Sequence, residues 1–326
     1  MAQKTALVVG GGIAGILAAR TLQHNGVGVE VVDKGRGVGG RMATRRIESD
    51  RFDHGAQFFT VRSPEFRTMV DEWLAIGIAR EWSRGFHGVD GAEALDGYPR
   101  YCGCNGMKSI VKYLAQGLSI HDKTRVTTID YVGDRWRVEA DSGKVWHTDM
   151  LLLTPPVPQS LELLGAVSTK IDPAVFAALE TIRYHKCLAL MVRLGGASPL
   201  QPPGAMQPDR EPIVWLADNG LKKISPEPGT LTIHAGPEFS EAYWSADEPT
   251  AISAMLAALP FALDTAPVMT RLHRWRFSQP VATHPERVVM EMSPGPLAFA
   301  GDAFGGARIE GAVLSGLAAA DALLRV

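Results

Sequence analysis

The stretch Thr5–Asp33, TALVVGGGIAGILAARTLQHNGVGVEVVD, constrains the fold more than any other. The apolar run Thr5–Val9 reads as a buried parallel strand. Gly10, Gly12 and Gly15 follow in G-x-G-x-x-G spacing. Gly10 permits a tight turn out of the strand. Gly12, without a Cβ, lets a pyrophosphate approach the backbone. Gly15 lets the next helix lie near the sheet. That helix is expected over Ile13–His24, with its N–H groups and positive dipole end aimed at the phosphates. A second strand, Val29–Val32, ends at Asp33. An acid about 20 residues beyond the glycines suits a ribose 2′-OH. The plain alternative is an ordinary βαβ unit with a glycine turn.

The chain has 326 residues, enough for one large or two intertwined domains. Its formal charge of −2 gives no general attraction to nucleic acid or to an anionic membrane surface. Three cysteines, Cys102, Cys104 and Cys187, form no disulfide framework and fit a reducing cytoplasm. Cys102-x-Cys104 has no histidine nearby, so two ordinary thiols are expected and no metal site. Ala6–Ala19 is apolar after Lys4, but its glycines stand at phosphate-loop spacing, which argues against a signal peptide. No run of about 20 apolar residues is present to span a membrane.

Beyond Asp33, Lys34–Met42 is a glycine-rich loop in which Arg41 offers a planar fork to phosphate. The block Phe52–Phe59, FDHGAQFF, suits close approach to a flat ligand. Ser63–Trp82 carries helical spacing, and its Phe66, Met69, Val70, Trp73 and Leu74 stripe reads as core. Gly85–Tyr98 reads as a loop, and Gly106–Leu118 as a helix. Arg125–Ile129 and Trp136–Ala140 read as a hairpin closed by Gly133-Asp134, and Met150–Leu153 as a strand stopped at Thr154-Pro155. From Pro158 a mixed α+β texture follows, with strands expected at Leu188–Leu194, Ile213–Ala217 and Thr230–His234. The end returns to nucleotide-binding texture. Strand Pro296–Ala300 runs into Gly301-Asp302, a glycine-rich turn and a small-residue helix. That is a second dinucleotide-facing corner, unless Asp302 simply caps a helix.

These blocks together resemble FAD-dependent oxidoreductases of the amine-oxidase superfamily. More narrowly, the chain resembles the renalases nearly end to end. Asp33-Lys34, FDHGAQFF, Ile233-His234, His273-Arg274-Trp275 and the Arg308–Gly316 tail carry the narrower likeness. The resemblance implies an α/β fold: a Rossmann-type FAD-binding domain with an inserted mixed α+β substrate domain. The expected boundaries are 1–60, 100–157 and 270–326 for the first, and 61–99 and 158–269 for the second. It implies non-covalent FAD held by Gly10, Gly12, Ile13, Ala14, Gly15, Asp33, Lys34, Gly40, Arg41, Met42, Gln57, Phe58, Phe59, Val126, Thr154, Gly301, Asp302, Arg308, Ile309 and Ala312. Val126 would offer its backbone to adenine, and Asp302 and Ile309 would meet the ribityl–pyrophosphate end.

Renalase chemistry would be oxidation of dihydronicotinamides reduced at ring carbon 2 or 6. Hydride would go to flavin, and dioxygen would become hydrogen peroxide. The partners would be that small molecule and O2, with no nucleic acid or membrane, in the cytoplasm. His234 and Trp275 are the candidate substrate residues, the histidine toward a carboxamide and the indole against the flat ring; a structural histidine and a core tryptophan are the plain alternatives. No nucleophile–histidine–acid arrangement is legible, and a dihydropyridine needs none, because losing hydride leaves an aromatic ring.

Amine oxidation is the nearest rival. No tyrosine follows Tyr243 to build a cage near the C-terminal corner, and no cysteine follows Cys187 to attach FAD. Carotenoid-type desaturases share the superfamily but are longer. A pyridine-nucleotide reductase would carry a second glycine fingerprint, and Gly195-Gly196 lacks the spacing. A non-catalytic binder like the Rab GDP-dissociation inhibitors would not need the intact glycine loop, Asp33 and Arg41.

Overall fold

The computed structural model describes residues 3–88 and 93–326. The chain divides into two compact units. One comprises the chain up to Gly40, Val111–Tyr184 and Gln279–Val326; the other comprises Arg41–Ile110 and His185–Ser278.

The first unit is built on a six-stranded sheet. Its order is Val289–Glu291, Leu297–Phe299, Met150–Leu153, Thr5–Val9, Gly28–Val32, Ser119–His121. All neighbours are parallel except the antiparallel edge strand Val289–Glu291. Strands buried on both faces read as continuous apolar runs, as Thr5–Val9 and Met150–Leu153 do. Helices Ile13–His24 and Ile309–Leu324 pack together at a glycine. A Cβ on Gly316 would stand 2.3 Å from the Ala14 carbonyl oxygen. The hairpin Val126–Val132 and Arg135–Ala140 turns through Gly133 and Asp134, both at φ 59°, which supplies the twist a two-residue hairpin favours. With Val145–Thr148 it forms a three-stranded antiparallel sheet.

The segment 158–184, expected in the substrate domain, belongs to this unit. Its Leu164, Val167, Ile171, Leu179 and Ile182 share one core with Leu7, Val9, Leu151 and Leu153. Apolar positions on helices Val157–Leu164 and Pro173–Glu180 need a partner surface, and the nucleotide sheet with its hairpin provides it.

The second unit carries a seven-stranded sheet. Its order is Pro267–Pro280, Tyr184–Leu194, Thr230–Ala235, Ile213–Asp218, Ala205–Met206, Ala79–His87, Glu93–Gly103. The helical spacing over Ser63–Trp82 proves to be two elements. Helix Pro64–Ala75 is capped by Ser63 Oγ, which accepts from Phe66 N (3.3 Å), and a strand starts at Ala79. The stretch 85–98, expected as a loop, is largely strand: Ala79–His87 pairs antiparallel with Glu93–Gly103, with residues 89–92 outside the described set. Glu93–Gly103 is a sheet edge, and edges carry charge in place of apolar alternation. There Arg100 Nη2 donates to Asp96 Oδ2 at 2.6 Å. The block Arg41–Phe59, expected in the FAD-binding domain, falls in this unit, where the hairpin Thr44–Ile47 and Asp50–Asp53 lies beside strand Thr230–Ala235.

Candidate active site

In the first unit the glycine loop sorts its glycines by cause. A Cβ at Gly10 would meet Thr154 Oγ1 at 2.3 Å, and the residue sits at φ 106°. At Gly15 a Cβ would meet the Gly10 carbonyl oxygen at 2.1 Å. The protein's own packing therefore demands both glycines. At Gly12 a Cβ meets nothing within 4 Å. Internal packing therefore does not require the missing side chain there. Helix Ile13–His24 starts at Gly12 with no side-chain cap, which leaves its first N–H groups for an anion.

Around this cradle Thr154 Oγ1 donates toward Val9 O (2.9 Å) and Gly10 O (3.1 Å), locking the loop to the end of the neighbouring strand. Asp33 Oδ2 accepts from Gly11 N and Oδ1 from Gly35 N, each at 2.6 Å. Those bonds fix the carboxylate at the strand end, and each oxygen keeps a further lone pair for a ribose hydroxyl. Lys34 Nζ donates to Gln159 Oε1 (3.2 Å). Gly40, at φ 51°, brings its backbone close to Gly12: a Cβ on it would stand 3.3 Å from Gly12 Cα. At the second corner Gly301, at φ 143°, donates its N–H to Ser315 Oγ (2.9 Å). Asp302 follows, and Arg308 is the N-cap residue of the last helix with no side-chain cap bond, so Ile309 and Ala312 lie in its first turn. Val126 begins its strand with its side chain buried, leaving backbone as what it can offer a ligand.

In the second unit the block after Arg41 folds tightly on itself. Ala56 N donates to Arg41 O (2.8 Å), and a Cβ on Gly55 would stand 2.0 Å from that oxygen. Met42 is buried. Phe59 turns into a core of Phe66, Trp73 and Tyr101, so its side chain packs rather than facing a ligand. Phe58 takes the other side, with its ring 5.2 Å from Phe86 and 5.5 Å from Trp215.

His234 and Trp275 converge on one atom. The His54 carbonyl oxygen accepts from Trp275 Nε1 (2.8 Å) and stands 3.2 Å from His234 Nε2. That contact assigns the Nε2–H tautomer to His234. The His54 ring stacks on Trp275 (5.3 Å, 17°) and meets His273 edge-on at 4.8 Å. Burial pushes the His54 pKa down to about 3, helped by charge on His273, Arg45, His234 and Lys108. Burial also lowers His234 to about 4 against its bond to the His54 carbonyl, and lowers His273 to about 4 with help from Arg45. All three rings are neutral at pH 7. The cluster can hydrogen-bond and stack, and it places no imidazolium beside a ligand.

Lys222 is the residue that sequence reasoning passed over. It is fully buried, and its Nζ donates to Asp53 Oδ2 (2.7 Å) and Gln57 O (2.6 Å) and lies 4.6 Å from the Trp82 ring centroid. Asp53, also fully buried, accepts on Oδ1 from Thr44 Oγ1 (2.5 Å) and Met107 N (2.9 Å). Asn219 Oδ1 accepts from Asp53 N (3.1 Å). A Lys222-Lys223 pair after a Gly220 turn reads as solvated charge, and nothing in the local sequence links it to Asp53.

This arrangement defines a class: residues 8–73 match the NAD(P)-binding Rossmann-like domain, and residues 61–324 match the flavin-containing amine oxidoreductases. The chain belongs to the flavin-containing amine oxidoreductase family, and FAD is its cofactor. Within that family it is renalase-like: it is 28% identical to mouse (Mus musculus) renalase over 341 aligned positions, 98% of each chain. A crystal structure of an Exiguobacterium protein superposes with a TM-score of 0.73 at 14% identity, covering 100% of both chains. Putrescine oxidase bound to putrescine superposes at 0.69 and 14%, also covering 100% of both. Those two likenesses are of fold.

Proposed function

We propose that the protein is an oxidase of misreduced nicotinamide dinucleotides. It takes hydride from 2- or 6-dihydro-NAD(P) and releases NAD(P)⁺. One O2 and one proton are consumed per turnover and one H2O2 is formed. The observation that carries this reading is the likeness to renalase along 98% of both chains. The FAD contacts proposed in the first unit are Gly10, Gly12, Ile13, Ala14, Gly15, Asp33, Lys34, Gly40, Val126, Thr154, Gly301, Asp302, Arg308, Ile309 and Ala312. Those in the second are Arg41, Met42, Gln57, Phe58 and the backbone of Phe59. When bound, FAD supplies the hydride acceptor and the route of electrons to O2.

The protein's part is to bind and orient. Oxidation turns a neutral dihydropyridine into a cationic pyridinium, so a cation beside the ring would oppose the reaction. His54, His234 and His273 are held neutral, and the Lys222 charge is matched by Asp53. His234 and Trp275 fix the His54 carbonyl, and the indole presents a flat apolar surface. No general base is required of them. Sparse thiols support a cytoplasmic location. An amine substrate is the second reading, favoured by the family's description. Anaerobic mixing with 2-, 4- and 6-dihydro-NAD(P) and with primary amines separates the two. Bleaching of flavin absorbance by the 2- or 6-isomer is the expected result; bleaching by amines alone would overturn it.

A further inference from the structure

In the second unit three buried polar side-chain atoms in or near the FDHGAQFF block have no partner among the described residues: His54 Nδ1, Gln57 Oε1 and Trp215 Nε1. Gln57 and Trp215 are each only 6% exposed. The Gln57 amide cannot simply be turned over. Its Nε2 donates to Asp53 O (2.5 Å) and Gly55 O (3.0 Å), so both amide hydrogens are used and the oxygen is the end left over. Lys222 pins the same residue through its carbonyl. Trp215 has an indole N–H, which can only donate. Phe58, the residue after Gln57, lies 5.5 Å ring to ring from Trp215. Trp215 also stands opposite His234 across the strand pair, and His234 reaches the His54 carbonyl. Residues 54–58 thus lie against the sheet face that bears Trp215.

One fixed acceptor and one fixed donor, both shielded from water, complement a primary carboxamide, whose NH2 donates and whose C=O accepts. We propose that Gln57 Oε1 and Trp215 Nε1 read the carboxamide of the nicotinamide ring, a specificity device that rests on the function proposed above. The substrate's amide would give both atoms the partner that a buried polar group needs. A 3-acetylpyridine ring keeps the carbonyl but gives Gln57 no N–H. A nicotinic acid ring sets an anionic oxygen against Gln57 Oε1.

The test is calorimetric titration of the holoenzyme with NAD⁺, its 3-acetylpyridine analogue and nicotinic acid adenine dinucleotide. NAD⁺ is expected to bind roughly 5- to 150-fold more tightly than either analogue, the range set by one buried group left unsatisfied. Trp215→Phe keeps the ring and breaks no internal hydrogen bond. It is expected to weaken NAD⁺ and the acetyl analogue by a similar factor, leaving their ratio intact. Equal wild-type affinity for NAD⁺ and the acetyl analogue would overturn the proposal, as would Trp215→Phe with undiminished NAD⁺ affinity. If flavin still bleached with 2- or 6-dihydro-NAD(P) in that case, only the carboxamide pair would fall. A retained preference without bleaching supports the pair and removes the oxidase reading. Absence of both binding and bleaching overturns both.

Discussion

Replacing Lys222 with methionine tests the node on which residues 53–57 are built. The substitution keeps a long apolar stem and deletes the ammonium. It strips Asp53 Oδ2 of its 2.7 Å partner and Gln57 O of its 2.6 Å partner. Oδ1 stays held by Thr44 Oγ1 and Met107 N, so the carboxyl group stays buried and loses its partner cation. Breaking one half of a fully buried pair costs about 3–5 kcal/mol. With a urea slope of about 2.5 kcal/mol/M, the unfolding midpoint should fall by about 1–2 M. Tryptophan fluorescence follows the transition, since the second unit holds five of the seven tryptophans, Trp82 among them with its ring 4.6 Å from Nζ. The companion variant, Lys222→Met with Asp53→Asn, removes the stranded carboxyl group while keeping an acceptor for Thr44 and Met107. It should recover about half of the loss or more, a coupling of at least about 1.5 kcal/mol. A Lys222→Met protein within about 1 kcal/mol of wild type, or a double variant no better than the single one, would refute the reasoning.

Gly12→Ala should fold as wild type, because its Cβ meets nothing, yet lose FAD affinity; Gly15→Ala should lose stability instead, because its Cβ meets the Gly10 carbonyl oxygen at 2.1 Å. Melting curves and FAD titrations of the two apoproteins decide this, and equal FAD affinity for Gly12→Ala and wild type would remove the cradle. His54 has its pKa lowered to about 3, so the unfolded chain takes up the proton first as pH falls. Its contribution is whole above about pH 6.5 and declines below it at about 1.4 kcal/mol per pH unit, about 2 kcal/mol by pH 5. His54→Gln should shrink the stability gap between pH 7.5 and pH 5 by that amount in urea unfolding; an unchanged gap contradicts it. All flavin should enter the supernatant on acid precipitation, since no cysteine follows Cys187; colour on the pellet would mean a covalent link. His234→Ala should slow flavin reduction by the dihydro-isomer about 5- to 30-fold, the loss of one orienting hydrogen bond, with reoxidation by O2 unchanged in stopped flow. Unchanged reduction would place His234 outside the reaction.

The nucleotide half of this protein was legible from one dimension because its physics is local. A run of apolar residues, glycines at set spacing and a terminal acid are each dictated by neighbours a few residues away. Strand Thr5–Val9, helix Ile13–His24 and the Gly133-Asp134 turn lie where the pattern placed them. Even there the sequence could not separate the glycines: only the Thr154 hydroxyl and the Gly10 carbonyl show that Gly10 and Gly15 serve packing while Gly12 leaves space. The second unit was decided by contacts between residues far apart in the chain. Lys222 meets Asp53 169 positions away, and His234 meets the His54 carbonyl 180 positions away. No periodicity encodes such pairs, and a lysine doublet after a glycine turn carries the signature of solvated charge. Strand Glu93–Gly103 was obscured because a sheet edge is written in charge rather than alternation. Which end of Gln57 is free follows only from where Asp53 and Gly55 come to rest, and Trp215 is brought to this block only through its packing on Phe58. A hydrogen bond between distant residues is a property of the folded chain and has no local cause.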